Sequence, residues 1–194
     1  WFDKRLRIFR PHSEISQEFS ASLCQDSAGR MQVLKFLNQA DLDIEEIKLE
    51  TRNLGDLGMD ELPGEVRSAL IKEMSSQEVL EIRLGRSMAD TGMPILLPWE
   101  SESRGTQKLF ALAWPWINIL RQGQILFMDE MDTSLHHHLV KFLIGMINDP
   151  KFNITCAQLI STPHDTALLD NDIFRRDQFW MVEKSEDRCS ELYP

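Results

Sequence analysis

Two acidic residues directly follow a short apolar run, and this pair is the feature of the sequence most suited to chemistry. Residues 125–128 are all apolar and lead into Asp129 and Glu130. Such a run is typical of a strand buried on both faces in a parallel sheet. A carboxylate at its end is costly unless it meets a metal ion, a partner or water. Because open α/β sheets bind ligands at the carboxyl ends of their strands, the pair predicts a ligand site.

Two other stretches contain residues that suit the same chemistry. Upstream, Ser103 and Gly105 precede an amphipathic pattern that predicts a helix ended by Gly123. The first turn of a helix attracts phosphate through its unpaired N–H groups, although an ordinary N-cap explains the same residues. Downstream, His164 follows a second apolar run. A histidine there is commonly structural, but on a neighbouring strand it would lie beside the acid pair.

In chain order, these stretches resemble the signature motif, the Walker B strand with its D-loop, and the switch histidine of an ABC-type ATPase. The resemblance extends to SMC-like AAA-family ATPases of bacterial defence systems, including relatives of the overcoming-lysogenization-defect proteins. Their pattern has a Glu-Ser-x-Gly-Thr turn, an apolar-Asp-Glu strand, a Ser-Leu-His segment and a His-Asp pair after the next strand. Residues 102–106, 125–130, 134–136 and 161–165 match it.

The resemblance implies an α/β fold of the P-loop NTPase, ABC-ATPase type, with a mostly parallel sheet flanked by helices and an α+β accessory region. It also implies ATP and Mg²⁺ as cofactors. Asp129 would belong to the magnesium shell, and Glu130 would be the general base that orients the attacking water. His164 would sense the γ-phosphate.

The same resemblance implies a homodimer that closes around nucleotide, in which the signature residues of one protomer bind the nucleotide of the other. These residues are Ser103, Gly105, Thr106 and Gln107. The D-loop segment would line the interface, and it consists of Asp132, Thr133, Ser134, Leu135 and His136. Consecutive histidines on a helix point in different directions, so we expect the run 136–138 to be a poor metal site.

The sequence contains no Gly-Lys pair and therefore no GxxxxGK[ST] phosphate loop. In the family this loop precedes the motifs seen here, so we expect the chain to be the C-terminal half of the domain, completed by an upstream Walker A segment. Without that loop, the chain is expected not to hydrolyse ATP by itself. Met131 replaces the usual proline and His136 the D-loop aspartate, which favours the SMC-like defence families over membrane transporters.

The composition excludes several other classes of protein. No apolar run approaches the ~18 residues that a membrane span needs. Three cysteines without a CxxC pair are typical of reduced thiols in a cytoplasmic protein. A formal charge of −10 disfavours wrapping of nucleic acid by bulk attraction, and direct DNA contact stays open.

We predict an accessory helical and antiparallel region over residues 1–98 and the ATPase half-domain over residues 99–194. Residues 1–9 are expected to end a helix, residues 65–74 to form one, and residues 178–182 to form a further strand.

Three functions are compatible with these residues. The first is ATP binding and hydrolysis that controls an effector, such as a nuclease subunit, in phage defence or nucleic-acid metabolism. The second is a nucleotide-gated regulatory module that hydrolyses little. The third is a metal-dependent nuclease centre of Asp129, Glu130, His164 and Asp165, which explains the acids but not the turn at Ser103.

Overall fold

The computed structural model describes residues 5–9, 15–53, 78–88, 92–168 and 173–194. Its strands are β1 (Leu6–Phe9), β2 (Glu46–Asn53), β3 (Glu78–Ser87), β4 (Pro94–Pro98), β5 (Ile125–Asp129), β6 (Gln158–Thr162), β7 (Met181–Lys184) and β8 (Ser190–Tyr193). Its α-helices are α1 (Gln17–Leu23), α2 (Ser27–Gln39), α3 (Arg104–Gln122) and α4 (His137–Asn148). Short 3₁₀ turns lie at Trp99–Ser101, Thr166–Leu168 and Arg176–Gln178.

The chain divides into two compact units, residues 15–116 and residues 117–194 together with 1–14. The predicted boundary between residues 98 and 99 stays a prediction. The helix expected over residues 65–74 lies outside the described residues. No helix in the described part of the chain is long and apolar enough to cross a membrane.

A parallel sheet with the strand order β1-β5-β6 forms the centre of the second unit. Leu126 and Met128 of β5 are buried, whereas Ile125 and Phe127 on the other face are half-buried, so the predicted burial on both faces is confirmed only in part. The register pairs Asp129 with Thr162, so both residues lie at the carboxyl ends of neighbouring strands. The expected α/β architecture with a parallel sheet is thereby confirmed.

We expected residues 1–9 to end a helix, and this prediction is wrong for Leu6–Phe9. These residues form β1 and pair with residues 125–128 of β5. The physical reason is length. A segment this short forms a marginal helix in water, because nucleating a helix is costly. As a strand, the same residues satisfy the backbone groups along one edge of β5.

Helix α4 follows β5 and lies beside β6. The sequence predicts a helix with its apolar stripe at Leu135, Leu139, Phe142, Leu143 and Met146, and the helix is confirmed. Of that stripe, Leu139 and Phe142 are only half-buried, and the buried face also includes Val140 and Ile144. Before β5, Gly123 ends α3 with a φ of +61°. A Cβ there would lie 2.5 Å from the carbonyl oxygen of Thr155, so this turn requires glycine.

An antiparallel sheet with the order β2-β3-β4 characterises the unit 15–116. Ile47, Ile82 and Leu84 are buried on it, whereas charged residues alternate with them along the strands. This alternation is typical of antiparallel strands with one face in a core.

Helix α3 continues through Pro115, and a buried serine compensates for the hydrogen bond that the proline removes. Proline lacks the N–H that would bond the carbonyl of Ala111, four residues earlier. The Ser20 hydroxyl donates to that carbonyl over 3.2 Å and accepts the Trp114 N–H over 3.0 Å. Because Ser20 is fully buried, this pair of bonds satisfies groups that water cannot reach.

The C-terminal strands form an antiparallel hairpin, β7-β8, and do not extend the parallel sheet. The strand expected over residues 178–182 begins later, at Met181. Residues Arg176–Gln178 instead form a 3₁₀ turn, in which the Gln178 side chain accepts the N–H of Arg175. This local capping competes successfully with the strand propensity of the apolar residues that follow.

Candidate functional site

The side chain of Thr162 links the carboxyl ends of β5 and β6. The Thr162 hydroxyl donates to Oδ1 of Asp129, and its oxygen accepts the N–H of Glu130 over 3.1 Å. The hydroxyl therefore fixes the Asp129 carboxylate and the first peptide group of the turn after β5. These groups lie at the carboxyl end of a parallel sheet, where α/β folds place their ligands.

The backbone of Glu130 adopts a left-handed conformation, with a φ of +50°. This region is uncommon for a residue with a side chain, and such strain concentrates at functional sites. The Glu130 carboxylate Oε1 lies 3.2 Å from Nε2 of His164. The imidazole is largely exposed (75%) and the carboxylate partly so (30%), so a ligand can reach both.

Asp132 holds the loop that carries the histidine. Its Oδ2 accepts the backbone N–H of His164 over 2.9 Å and that of Asp165 over 2.8 Å. Its Oδ1 is buried and has no hydrogen-bond partner among the described residues. Two charge-assisted bonds to consecutive amides fix the backbone at His164 relative to β5.

The rest of the D-loop segment forms two tight turns. The Thr133 N–H donates to the carbonyl of Glu130 over 3.1 Å, and the Leu135 N–H to that of Asp132 over 3.1 Å. Met131 and Leu135 are buried, whereas Thr133, Ser134 and His136 are exposed. The exposed positions are therefore the ones that can contact a partner.

The signature-like turn lies in the unit 15–116. The Ser103 hydroxyl accepts the Thr106 N–H over 3.1 Å and lies 2.9 Å from the Thr106 hydroxyl. Thr106 is buried and Gly105 half-buried, and the Gln107 amide donates to the Trp99 carbonyl over 2.8 Å. The sequence allowed an N-cap here, and Ser103 makes the N-cap hydrogen bond.

A buried ion pair fixes the residue before this turn. Arg86 of β3 meets Glu102 through two parallel contacts of 2.5 and 2.9 Å. The Glu102 side chain is 4% exposed, and its hydrogen bond raises the pKa of Arg86. A bidentate pair of this kind holds both partners in one geometry.

The donor set at the strand ends fits a magnesium ion. Asp129 and Thr162 present a carboxylate and a hydroxyl oxygen side by side, and Mg²⁺ prefers oxygen ligands and keeps several waters. Asp165 is less suited to a nuclease centre, because its Oδ1 accepts the N–H of Ala167 two residues later. This bond is an ordinary turn cap.

The structure brings together three of the predicted residues, Asp129, Glu130 and His164, at one edge of the sheet. Sequence reasoning missed Thr162 and gave Asp132 no role toward the histidine loop. The signal for Thr162 is its place at the end of the apolar run that precedes His164, which puts it opposite Asp129. No local pattern predicts the contacts of Asp132, because they join residues 32 and 33 positions apart.

A family model described as "AAA domain, putative AbiEii toxin, Type IV TA system" matches residues 28–170. The matched span covers more than half of the 194 residues and includes the turn at Ser103, the acid pair and His164. No curated protein matches the chain.

Proposed function

The chain belongs to this AAA-domain family, whose members are P-loop NTPases of bacterial defence type, and from that premise we propose that it supplies the hydrolytic residues of an ABC-type ATPase site. The observation that carries the proposal is the contact of 3.2 Å between Glu130 and His164. Glu130 directly follows Asp129, so the contact lies beside the Asp129 carboxylate. A base, a proton donor and a metal ligand at one sheet edge are what phosphoryl transfer to water requires.

Each residue at the sheet edge has a separate task in this proposal. Mg²⁺–ATP supplies the phosphoanhydride bond and the cation that neutralises its charge. Asp129, oriented by the Thr162 hydroxyl, would hold the Mg²⁺ ion through a carboxylate oxygen or through a water bound to the ion. Glu130 orients the attacking water and accepts its proton. His164 donates a hydrogen bond to the γ-phosphate and connects it to Glu130.

Asp132 is a positioning residue in this scheme. Its carboxylate accepts the backbone N–H groups of His164 and Asp165, so the imidazole keeps the same position through each catalytic cycle. Misplacement of a catalytic group by about 1 Å is costly in rate, on the order of 10²-fold. The loop therefore needs a fixed anchor of this kind.

The phosphate loop is proposed to come from a further segment of the same protein. Among the described strands, β6 pairs only with β5, and Ile160 of β6 is 52% exposed. An apolar edge strand is a template for pairing with another strand. A Walker A strand seated there would bring its loop to the sheet edge that carries Glu130. The 194-residue chain alone is then expected to show no steady ATP turnover.

We also propose a homodimer in which Ser103 and Gly105, at the start of α3, face the nucleotide of the partner. Helix α3 is long, and the first turn of such a helix attracts phosphate. Thr106 and Gln107 support this turn through Ser103 and Trp99. The exposed D-loop residues Thr133, Ser134 and His136 would line the same interface. Nucleotide-driven closure would then control an effector.

The test replaces Glu130 with glutamine in the full-length protein. We expect single-turnover hydrolysis to fall by about 10²-fold or more, because general-base catalysis contributes about 10²–10⁴-fold. Binding of a fluorescent ATP analogue should stay within about threefold, since glutamine keeps the shape of the side chain. Glu186→Gln, an exposed carboxylate in the same unit, is the matched control and should keep the wild-type rate.

Unchanged hydrolysis in Glu130→Gln would contradict the proposal. If hydrolysis is lost but the effector is still controlled by ATP, the protein is a nucleotide-gated module, and turnover serves only to reset it.

A further inference from the structure

Three consecutive histidines at the start of α4 lie against one another. The ring centroids of His136 and His137 are 4.1 Å apart, those of His137 and His138 also 4.1 Å, and those of His136 and His138 5.1 Å. The interplanar angles lie between 30° and 41°. One ring nitrogen from each histidine lies within 4.8 Å of the other two.

The expectation that these side chains point in different directions is wrong, and the backbone explains why. His136 precedes the helix and is extended, with a φ of −66° and a ψ of 144°. Only His137 and His138 have helical geometry, so the rotation of about 100° per helical residue does not separate all three rings. The Nδ1 atom of His136 accepts the His138 N–H over 3.4 Å, which turns its ring toward the others.

A histidine binds a metal ion through the lone pair of its neutral imidazole, whereas an imidazolium repels a cation. Two charged side chains face His137, those of Asp165 and Lys141.

We propose that His136, His137 and His138 form a three-imidazole site for a divalent transition-metal ion of the Zn²⁺, Ni²⁺ or Cu²⁺ class. Imidazole suits these ions, whereas Mg²⁺ and Ca²⁺ prefer oxygen ligands. At a Zn–N distance of about 2.0–2.1 Å, the nitrogens of a tetrahedral site lie about 3.3 Å apart. His136 and His138 are exposed, so side-chain rotation can bring their nitrogens to that spacing. Water takes the fourth position.

This site does not depend on the proposed ATPase function. Its ligands are separate from Asp129, Glu130 and His164, and the metal class differs from magnesium. Its place does have a consequence for the chain, because His136 is both a ligand and the last residue of the D-loop segment. A neutral imidazole has one lone pair, so an ion bound to His136 would replace the hydrogen bond from the His138 N–H and would itself hold the three side chains together at the N-terminus of α4.

The test is a calorimetric titration of Zn²⁺ into the untagged full-length protein at pH 7.5. The reference protein carries Cys156→Ser and Cys189→Ser, because these exposed thiols could bind zinc by themselves. His136→Asn, His137→Gln and His138→Gln are compared one at a time and then combined in a triple substitution. Asparagine at 136 keeps a capping oxygen for α4. His164→Gln is the matched control.

We expect one zinc equivalent in the reference protein. Each of the three substitutions should weaken binding by at least about tenfold, since even loss of a residue behind the ligands costs about 10–100-fold. His164→Gln should leave the affinity unchanged. Zinc affinity that survives the triple substitution, or that falls equally with His164→Gln, would overturn the proposal.

A second measurement does not rely on variants that must fold. In the electron paramagnetic resonance spectrum of the Cu²⁺-loaded protein, we expect hyperfine structure from three nitrogen ligands. A spectrum with only oxygen ligands, or with one nitrogen, would contradict the three-imidazole site.

Discussion

The turn at Ser103 and the turn at Glu130 contain polar residues of similar kinds, but these residues differ in how they are hydrogen-bonded and exposed. At Ser103 the hydroxyl caps its own helix, and the preceding Glu102 is buried against Arg86. At Glu130 the backbone is left-handed and the carboxylate meets an exposed imidazole across the sheet edge. In the first turn, the Ser103 hydroxyl and the Glu102 carboxylate already have partners within the chain. The second keeps reactive groups accessible at the cost of backbone strain, as ligand sites do.

Among the variants that test this comparison, Arg86→Met should have the largest effect, a loss of unfolding free energy. It leaves the buried Glu102 carboxylate without its partner, and breaking a buried pair from one side costs about 3–5 kcal/mol of unfolding free energy. Urea denaturation followed by tryptophan fluorescence measures the loss.

The matched control for Arg86→Met is Arg175→Met, whose partner Asp177 is 3.0 Å away and largely exposed. An exposed pair contributes about 0–1 kcal/mol. Equal losses in the two variants would mean that burial of Glu102 does not fix the turn.

Asp132→Ala tests the other turn. The amides of His164 and Asp165 lose their acceptor, so the imidazole moves, and kcat of the full-length ATPase should fall by about 10- to 100-fold. KM for ATP should change less than kcat, because only the contact of His164 with the γ-phosphate is disturbed and the other nucleotide contacts remain. A kcat equal to that of Asp187→Ala, a surface control, would show that the loop holds its place without Asp132.

Ser20→Ala probes the compensation for Pro115. The Ala111 carbonyl would be buried without a donor, so unfolding free energy should fall by about 1–3 kcal/mol. Ser22→Ala is the matched control, since Ser22 is exposed and should change stability by less than about 0.5 kcal/mol. If the two variants unfold at the same urea concentration, the hydroxyl of Ser20 is not needed.

The smallest effect on stability is expected for Ser103→Ala, which removes the cap of α3 and costs about 1 kcal/mol. Ser103→Asn should restore stability, because asparagine is an equally good cap. ATP-dependent dimerisation, followed by light scattering, separates the two roles of the serine. Dimerisation that recovers fully with asparagine would argue against contact between the Ser103 hydroxyl and nucleotide.

Local patterns predicted much of this fold. The apolar run of β5 and the apolar positions of α4 predict these elements, although not all of their buried residues, and Gly123 marks the turn between α3 and β5. Patterns failed where pairing decides the structure. Leu6–Phe9 becomes a strand because β5 offers an edge, and no signal within those residues contains that information.

The candidate site divides in the same way. Asp129, Glu130 and His164 are visible in the sequence because acids and imidazoles are unusual at the ends of apolar strands. The bridge through Thr162 and the anchor at Asp132 depend on strand register and loop path, which a single sequence does not reveal. The histidine run is a third case. Helical periodicity predicted that its side chains point in different directions, but His136 is extended and only His137 and His138 belong to α4.

The central claim is that Glu130 and His164 act as one unit on one nucleotide, and a double-mutant cycle tests it most directly. Single-turnover rates are measured for Glu130→Gln, His164→Ala and the double variant of the full-length protein. Residues that act as a unit are strongly non-additive. We predict that the single-turnover rate of the double variant stays within about threefold of the rate of Glu130→Gln. Losses that multiply across the two substitutions would contradict the claim.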